Sequence, residues 1–121
     1  MIIARGAYNG AMHSVDYPFT VDQVRAWLRS KEPTALASDV EFEMLPERGG
    51  ASTNNPSAGC DFTTDERWGN VGFWVSGDVD FVIIRIDNSC QIYFDHLEVT
   101  DFSSLDAPFS KFLACVAGEN P

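Results

Sequence analysis

The chain is poor in the residues that build the commonest chemical sites. Its three cysteines, Cys60, Cys90 and Cys115, are odd in number, widely spaced and without a CxxC pair, which argues against both a disulfide framework and a zinc site. Free thiols in a reducing cytoplasm follow from that pattern, with Cys90 and Cys115 expected as small buried hydrophobes. Two histidines, His13 and His96, leave few routes to a nucleophile-base pair. Cys90 and His96 lie six residues apart, too far to adjoin on one strand, and Cys60 with either histidine lacks any supporting local signature. No run approaches the roughly 18 consecutive apolar residues of a membrane span. The opening Met1-Ile2-Ile3-Ala4-Arg5 has no charged segment followed by a long apolar one, so no export signal is expected. Lysine and arginine, eight together, are too few and too scattered for direct nucleic-acid binding.

What is abundant is negative charge and aromatic bulk. The formal net charge is −10 over 121 residues. Between Cys60 and Asp106 ten acidic residues face two basic ones, Arg67 and Arg85, so most of the excess is local to that stretch. Such a field repels nucleic acid and anionic lipid and attracts basic partners. Nine Phe, three Trp and three Tyr are too many for a disordered acidic tail. At 13.4 kDa the expectation is one folded domain spanning residues 1–121.

Local patterns set the expected elements. Residues 1–8 have the composition of a short edge strand, followed by a turn at Asn9-Gly10. From Thr20 to Lys31 a helix is expected: Thr20 and Gln23 form a capping box, Asp22 suits the positive end of the dipole, and Val21, Val24, Trp27 and Leu28 share a face. Pro33 is expected to stop it. Val40 to Leu45 alternates as a strand closed by Pro46. From Glu47 to Gly59 the composition shifts to Gly, Ser, Asn and Pro, the mark of a long surface loop.

Three strands are then expected over 71–76, 79–86 and 90–99, joined through Gly77-Asp78 and Asp87-Asn88-Ser89, in an antiparallel meander. Phe81-Val82-Ile83-Ile84 is apolar at both parities, as in a strand at least partly covered on both faces. The parity switch from Ile92 and Phe94 to Leu97 and Val99 calls for a bulge near Asp95-His96. Leu105, Phe109, Phe112, Leu113 and Val116 make a closing helical stripe, with Pro108 in its first turn, Ser104 or Asp106 as cap and Gly118 at its end. The fold class expected is α+β: an antiparallel sheet of four to five strands, with an N-terminal and a C-terminal helix packed on one face.

Chemical motifs are sparse. His96 and Glu98 share a strand face and can offer two metal ligands, but nothing nearby in sequence supplies a third. Asp78-Val79-Asp80 resembles half of a calcium loop without its glycine or closing glutamate, and fits better as a turn whose carboxylates keep a strand edge soluble. No catalytic residue, metal or cofactor is expected. The aromatics give a sharper lead. With Val71, Phe73 and Val75 on one strand face, Trp74 falls on the other, either covered by the 47–59 loop or free to anchor a partner. In the latter case Asp78, Asp80 and Asp95 ring it, and Trp68 and Tyr93 join it.

The expected function is a small cytoplasmic protein-binding module that covers the working surface of a basic protein. In a bacterium that means an immunity- or antitoxin-type inhibitor, blocking a toxin such as a nuclease, whose site is basic because it holds phosphate. Two alternatives fit the same sequence. One is a small-ligand module or enzyme with a pocket between helix and sheet, gated by loop 47–59. The other is an adaptor or oligomerising subunit that pairs through strand 71–76.

Overall fold

The structure, a computed structural model, describes residues 16–46 and 54–121. The expected edge strand over 1–8, His13 and residues 47–53 of the long loop lie outside them. In chain order the elements are α1 (Val21–Arg29), α2 (Glu32–Ala37), β1 (Glu41–Met44), β2 (Ser57–Thr63), β3 (Arg67–Trp74), β4 (Asp78–Arg85), β5 (Gln91–Glu98), a 3-10 turn over Ser103–Leu105, and α3 (Asp106–Val116). The fold is α+β. The five strands form one sheet in the order β1-β2-β3-β4-β5, antiparallel throughout.

Helix α1 starts as its sequence dictates. The Thr20 hydroxyl accepts from the Gln23 amide, and the Gln23 side chain accepts from the Thr20 amide, which satisfies two donors that a helix start leaves orphaned. Pro33 does not end the helical region. Ser30 caps α1, and Pro33 sits in the first turn of α2, where a missing amide proton costs nothing. The expected cap of α3 also changes: neither Ser104 nor Asp106 caps it. Instead the Asp101 carboxylate accepts from the Ser103 hydroxyl and from the Ser104 amide and hydroxyl, which holds the 3-10 turn and lowers the Asp101 pKa. At the far end Gly118 donates to Cys115 and Glu119 to Ala114, the paired bonds that close a helix C-terminus.

The helices lie on one side of the sheet, and aromatic rings fill the layer between. Phe62 meets Phe42, Phe109 and Phe112, while Phe73 meets Phe19, Trp27 and Phe102. Trp27 packs α1 into this layer, with the Lys31 ammonium 4.6 Å from its ring centroid. Arg67 ties the start of β3 to the end of α3 by donating to the carbonyls of Cys115 and Glu119. Cys60 and Cys115 are buried as small core residues, but Cys90 is exposed in the β4–β5 turn, contrary to expectation.

Three further expectations are corrected. The loop read over 47–59 contains the start of β2, whose Ala58 and Gly59 have the composition of a connector. A small residue is needed there because a β-carbon on Gly59 would stand 2.9 Å from the Val71 carbonyl oxygen. The bulge falls between Ile83 and Ile84 of β4 and their partners Tyr93 and Gln91, not at Asp95-His96; it follows directly on the turn in which Ser89 adopts φ +58°. Finally, β3 is central, so the strand expected to pair at an edge has neighbours on both sides. At its end the hairpin turns on Gly77, at φ +97°, where a β-carbon would collide with the Val99 carbonyl oxygen.

Close approach of α3 to β3 depends on Gly69. A β-carbon there would lie 2.7 Å from Val116 Cγ2 and 2.8 Å from Phe112 Cζ, whereas one on Gly72, on the opposite face, meets only the Trp74 ring at 3.3 Å. Gly69→Ala is therefore expected to destabilise the fold by about 1–3 kcal/mol, as overpacking does, and Gly72→Ala by less. Urea denaturation of both variants checks this, and equal losses would contradict the proposed helix-to-sheet fit.

Candidate partner-binding face

Strand geometry sends alternate side chains to opposite faces. In β3 the buried Gly69, Val71 and Phe73 alternate with the partly exposed Trp68, Asn70, Gly72 and Trp74. In β4 the buried Val79, Phe81 and Ile83 alternate with the partly exposed Asp78, Asp80, Val82 and Ile84. The buried set meets the helices. The partly exposed set faces away from them, and no described element covers it. β4 is thus buried on the helix side, and its outward residues are partly covered.

Register arranges this outward set in rows across the sheet. Glu41, Thr63, Trp68, Ile84 and Gln91 make one row, and Glu43, Asp61, Asn70, Val82 and Phe94 the next. Gly59, Gly72, Asp80 and His96 follow, then Ser57 with Trp74, and Asp78 with Glu98. The first two rows bring together Trp68, Val82, Ile84 and Phe94, the last 56% exposed, with Glu41, Glu43 and Asp61 on the β1 side. The other end gathers Trp74, Asp78, Asp80 and Glu98 around His96. Six carboxylates point from the face, and none of the described lysines and arginines does.

The carboxylates around His96 are held in place by hydrogen bonds. Asn55 bonds the Ser76 amide and hydroxyl, and that hydroxyl donates to Asp78 Oδ2 at 2.7 Å. His96 Nδ1 lies 2.5 Å from Asp80 Oδ1, with Nε2 3.5 Å from Asp78 and 4.0 Å from Glu98. A hydrogen bond to Asp80, reinforced by the surrounding negative charge, raises the imidazole pKa above its ordinary 6.5. Nε2 of His96, with one oxygen each of Asp78 and Glu98, forms a compact trio of potential metal-ligand atoms. The third group that the sequence did not signpost thus comes from the neighbouring strand. Beside this cluster Trp74 lays its six-membered ring over Gly72, bordering an open cleft of about 250 Å³ lined by Asn55, Trp74, Asp78, Asp80 and His96.

Of the residues expected at a partner site, Trp68, Trp74, Asp78 and Asp80 share this face. Tyr93 and Asp95 do not. Tyr93 pairs with Ile83, is buried and packs on Phe112, while Asp95 pairs with Phe81 on the same helix-facing side. The displaced bulge is the cause, because it shifts the parity of β5 near its start instead of its middle. Phe94 takes their place beside His96 and Glu98, which either bulge position leaves on this face; strict alternation counted back from Glu98 would have placed all three. The Cys60 thiol is on the covered side, away from His96, and burial pushes its pKa far above the ordinary range, which removes it as a nucleophile.

A one-sided α+β layer whose other face, among the described residues, carries aromatic and acidic side chains with no element over it has the form of a small binding protein. The chain matches the family described as Immunity protein TriTu over residues 22–115, from the first turn of α1 to the last turn of α3, and it belongs to that family. Neither a curated protein nor a solved structure matches it. Membership in an immunity-protein family implies a toxin as partner.

The histidine cluster makes stability depend on pH in a defined direction. Because folding raises the His96 pKa, its contribution is fully present below the unfolded value and is lost as pH rises through the higher folded one. The urea midpoint of the wild-type protein is expected to fall as pH is raised from 6.5 through the folded value, and His96→Gln should flatten that fall. An unchanged slope in the variant would show that the cluster adds nothing to folding.

Proposed function

We propose that the protein neutralises a basic toxin by laying its open sheet face over the toxin's working surface. The observation that carries this reading is the composition of that face: six carboxylates, Trp68, Trp74 and Phe94, with no lysine or arginine among the described residues that project from it. Carboxylates at this density speed the capture of a cationic surface, and the exposed Phe94 with the partly exposed Trp68 and Trp74 provides the short-range contacts that retain it. A nuclease is the toxin class whose site best complements such a plug, since a surface that holds phosphate is itself basic. Inhibition would be steric, without chemistry on the partner.

The filled aromatic layer between helices and sheet favours this reading over a ligand pocket in that position. The excess of carboxylates on this face also favours it over self-association, because two copies set face to face would oppose like charges. Among the described residues no helix is long and apolar enough to cross a membrane. We place the protein in the cytoplasm of the toxin-producing bacterium, where its free thiols stay reduced.

Calorimetry and stopped-flow binding with the toxin domain encoded beside this gene test the proposal. A 1:1 complex is expected, whose association slows steeply as salt is raised. Trp74→Ala and Phe94→Ala should each weaken it by about ten-fold or more, chiefly through faster dissociation. Wild-type affinity in both variants, with loss of binding after substitutions on α1 or α3 instead, would move the interface to the other side of the molecule.

A further inference from the structure

Among the described residues the sheet has two edges, and they are built differently. β1 has four residues and is followed within two positions by Pro46, and shortness and proline both blunt an edge. β5 has eight residues, Gln91 to Glu98, with no proline, lysine or arginine. Its irregularity is confined to the start. From Tyr93 to Glu98 each residue pairs in step with β4, from Ile83 back to Asp78. Along such a ladder the backbone groups of successive residues point alternately toward the neighbouring strand and away from it. The Val99 amide donates inward to the Gly77 carbonyl. By alternation Tyr93, Asp95 and Leu97 also bond inward, while the backbone groups of Phe94, His96 and Glu98 point to the open side. No described residue pairs with that side.

We infer that the outer edge of β5 takes up an extended, basic segment of the toxin as a sixth strand beside the five described. This rests on the reading of the partner as a basic toxin and adds the way its backbone joins the sheet. Main-chain bonds of an added strand supply affinity, and its alternate side chains supply selection. Here selection is by charge. Between Arg85 and Lys111 the chain carries Asp87, Asp95, Glu98, Asp101 and Asp106 and neither lysine nor arginine. An edge of that sign repels a second copy of this chain, whose net charge is −10, and admits a cationic strand.

The register specifies the segment. Asp95 lies on the helix side of the sheet and Glu98 on the outward side. The exposed Phe94 is outward, and the partly exposed Leu97 is on the helix side. A matching strand places lysine or arginine against Asp95 and Glu98 and apolar residues against Phe94 and Leu97, since directly opposed side chains are the unit of sheet pairing. Its two cations therefore project from opposite sides of the strand. Contact with Asp95 sets this mode apart from docking on the outward face alone, which leaves the helix side untouched.

Amide hydrogen exchange resolved by residue with NMR, on the protein alone and in complex with the toxin domain encoded beside this gene, tests the inference. In the free protein the amides of Phe94, His96 and Glu98 should exchange about ten-fold or more faster than those of Tyr93, Asp95 and Leu97. In the complex they should slow by about ten-fold or more, as hydrogen-bonded amides do. Asp95→Lys should weaken the complex by about ten-fold, and Asp95→Asn, of the same shape as the native residue, by a few-fold. Glu119→Lys makes the same change of net charge as Asp95→Lys at an exposed site beyond α3 and should have a several-fold smaller effect. Slow exchange at Tyr93 and Leu97 in the Asp95 variants reports that β4 and β5 remain paired. Fast exchange at Phe94, His96 and Glu98 in the complex, or equal losses in Asp95→Lys and Glu119→Lys, would overturn the added strand. Slow exchange at these three amides in the free protein would overturn it as well, because the edge would already be occupied.

The two levels of the account fail separately. If the edge amides stay fast in the complex while Trp74→Ala weakens it, the face stands without the added strand. If the edge amides slow and Asp95→Lys weakens binding while Trp74→Ala does not, the strand stands and the outward face is not the interface.

Discussion

Pairing of β3, β4 and β5 in one antiparallel register is the constraint on which the rest of the structure depends. Once Gly72 stands opposite Asp80 and Asp80 opposite His96, every alternate residue along these strands is committed to one side of the sheet. The aromatic layer beneath α1 and α3 pins that choice, because Phe73, Phe81 and Ile83 are fully buried and a slip by one residue would turn them to water. Burial on one side thereby determines what is displayed on the other. Trp74, Asp78 and Asp80 are outward because their neighbours in the chain are core.

The displayed side mixes apolar and acidic groups along its whole length. Its apolar residues, Val82, Ile84 and Phe94, offer surface whose removal from water favours association by roughly 25 cal/mol per Å². Its carboxylates act at longer range, over about a Debye length of 8–10 Å in physiological salt. A partner approaching this face is oriented first by charge and then held by contact. When protonated, His96 reduces the repulsion that Asp78, Asp80 and Glu98 would otherwise exert on one another. The shared register thus serves both stability and the proposed recognition.

Much of this was legible in the chain. The capping box at Thr20, the stripe from Leu105 to Val116 and the alternation of β3 all follow from local pattern, and they placed Trp74 correctly opposite Phe73. β2 was not legible as a whole, because Ala58 and Gly59 are small for packing reasons that only the proximity of β3 supplies. Nor was the bulge: its position depends on how the turn at Ser89 delivers the chain into β5, and moving it by a few residues turned Tyr93 and Asp95 to the helix side and Phe94 to the outward side. The open face was visible in sequence only as an excess of charge. Its six carboxylates come from four strands, and no local window contains them together. Family membership independently identifies the chain as an immunity protein; the face supplies a physical candidate for how such a protein meets its partner.

Hydroxyl-radical footprinting of the protein alone and in complex with its toxin tests the central claim most directly, because it reads side-chain exposure on both sides of the sheet in one experiment. Trp74 and Phe94 are expected to lose most of their reactivity on complex formation, while Leu36, exposed on α2, keeps its own. Protection of Leu36 and of α3, with Trp74 and Phe94 as reactive as before, would contradict the account.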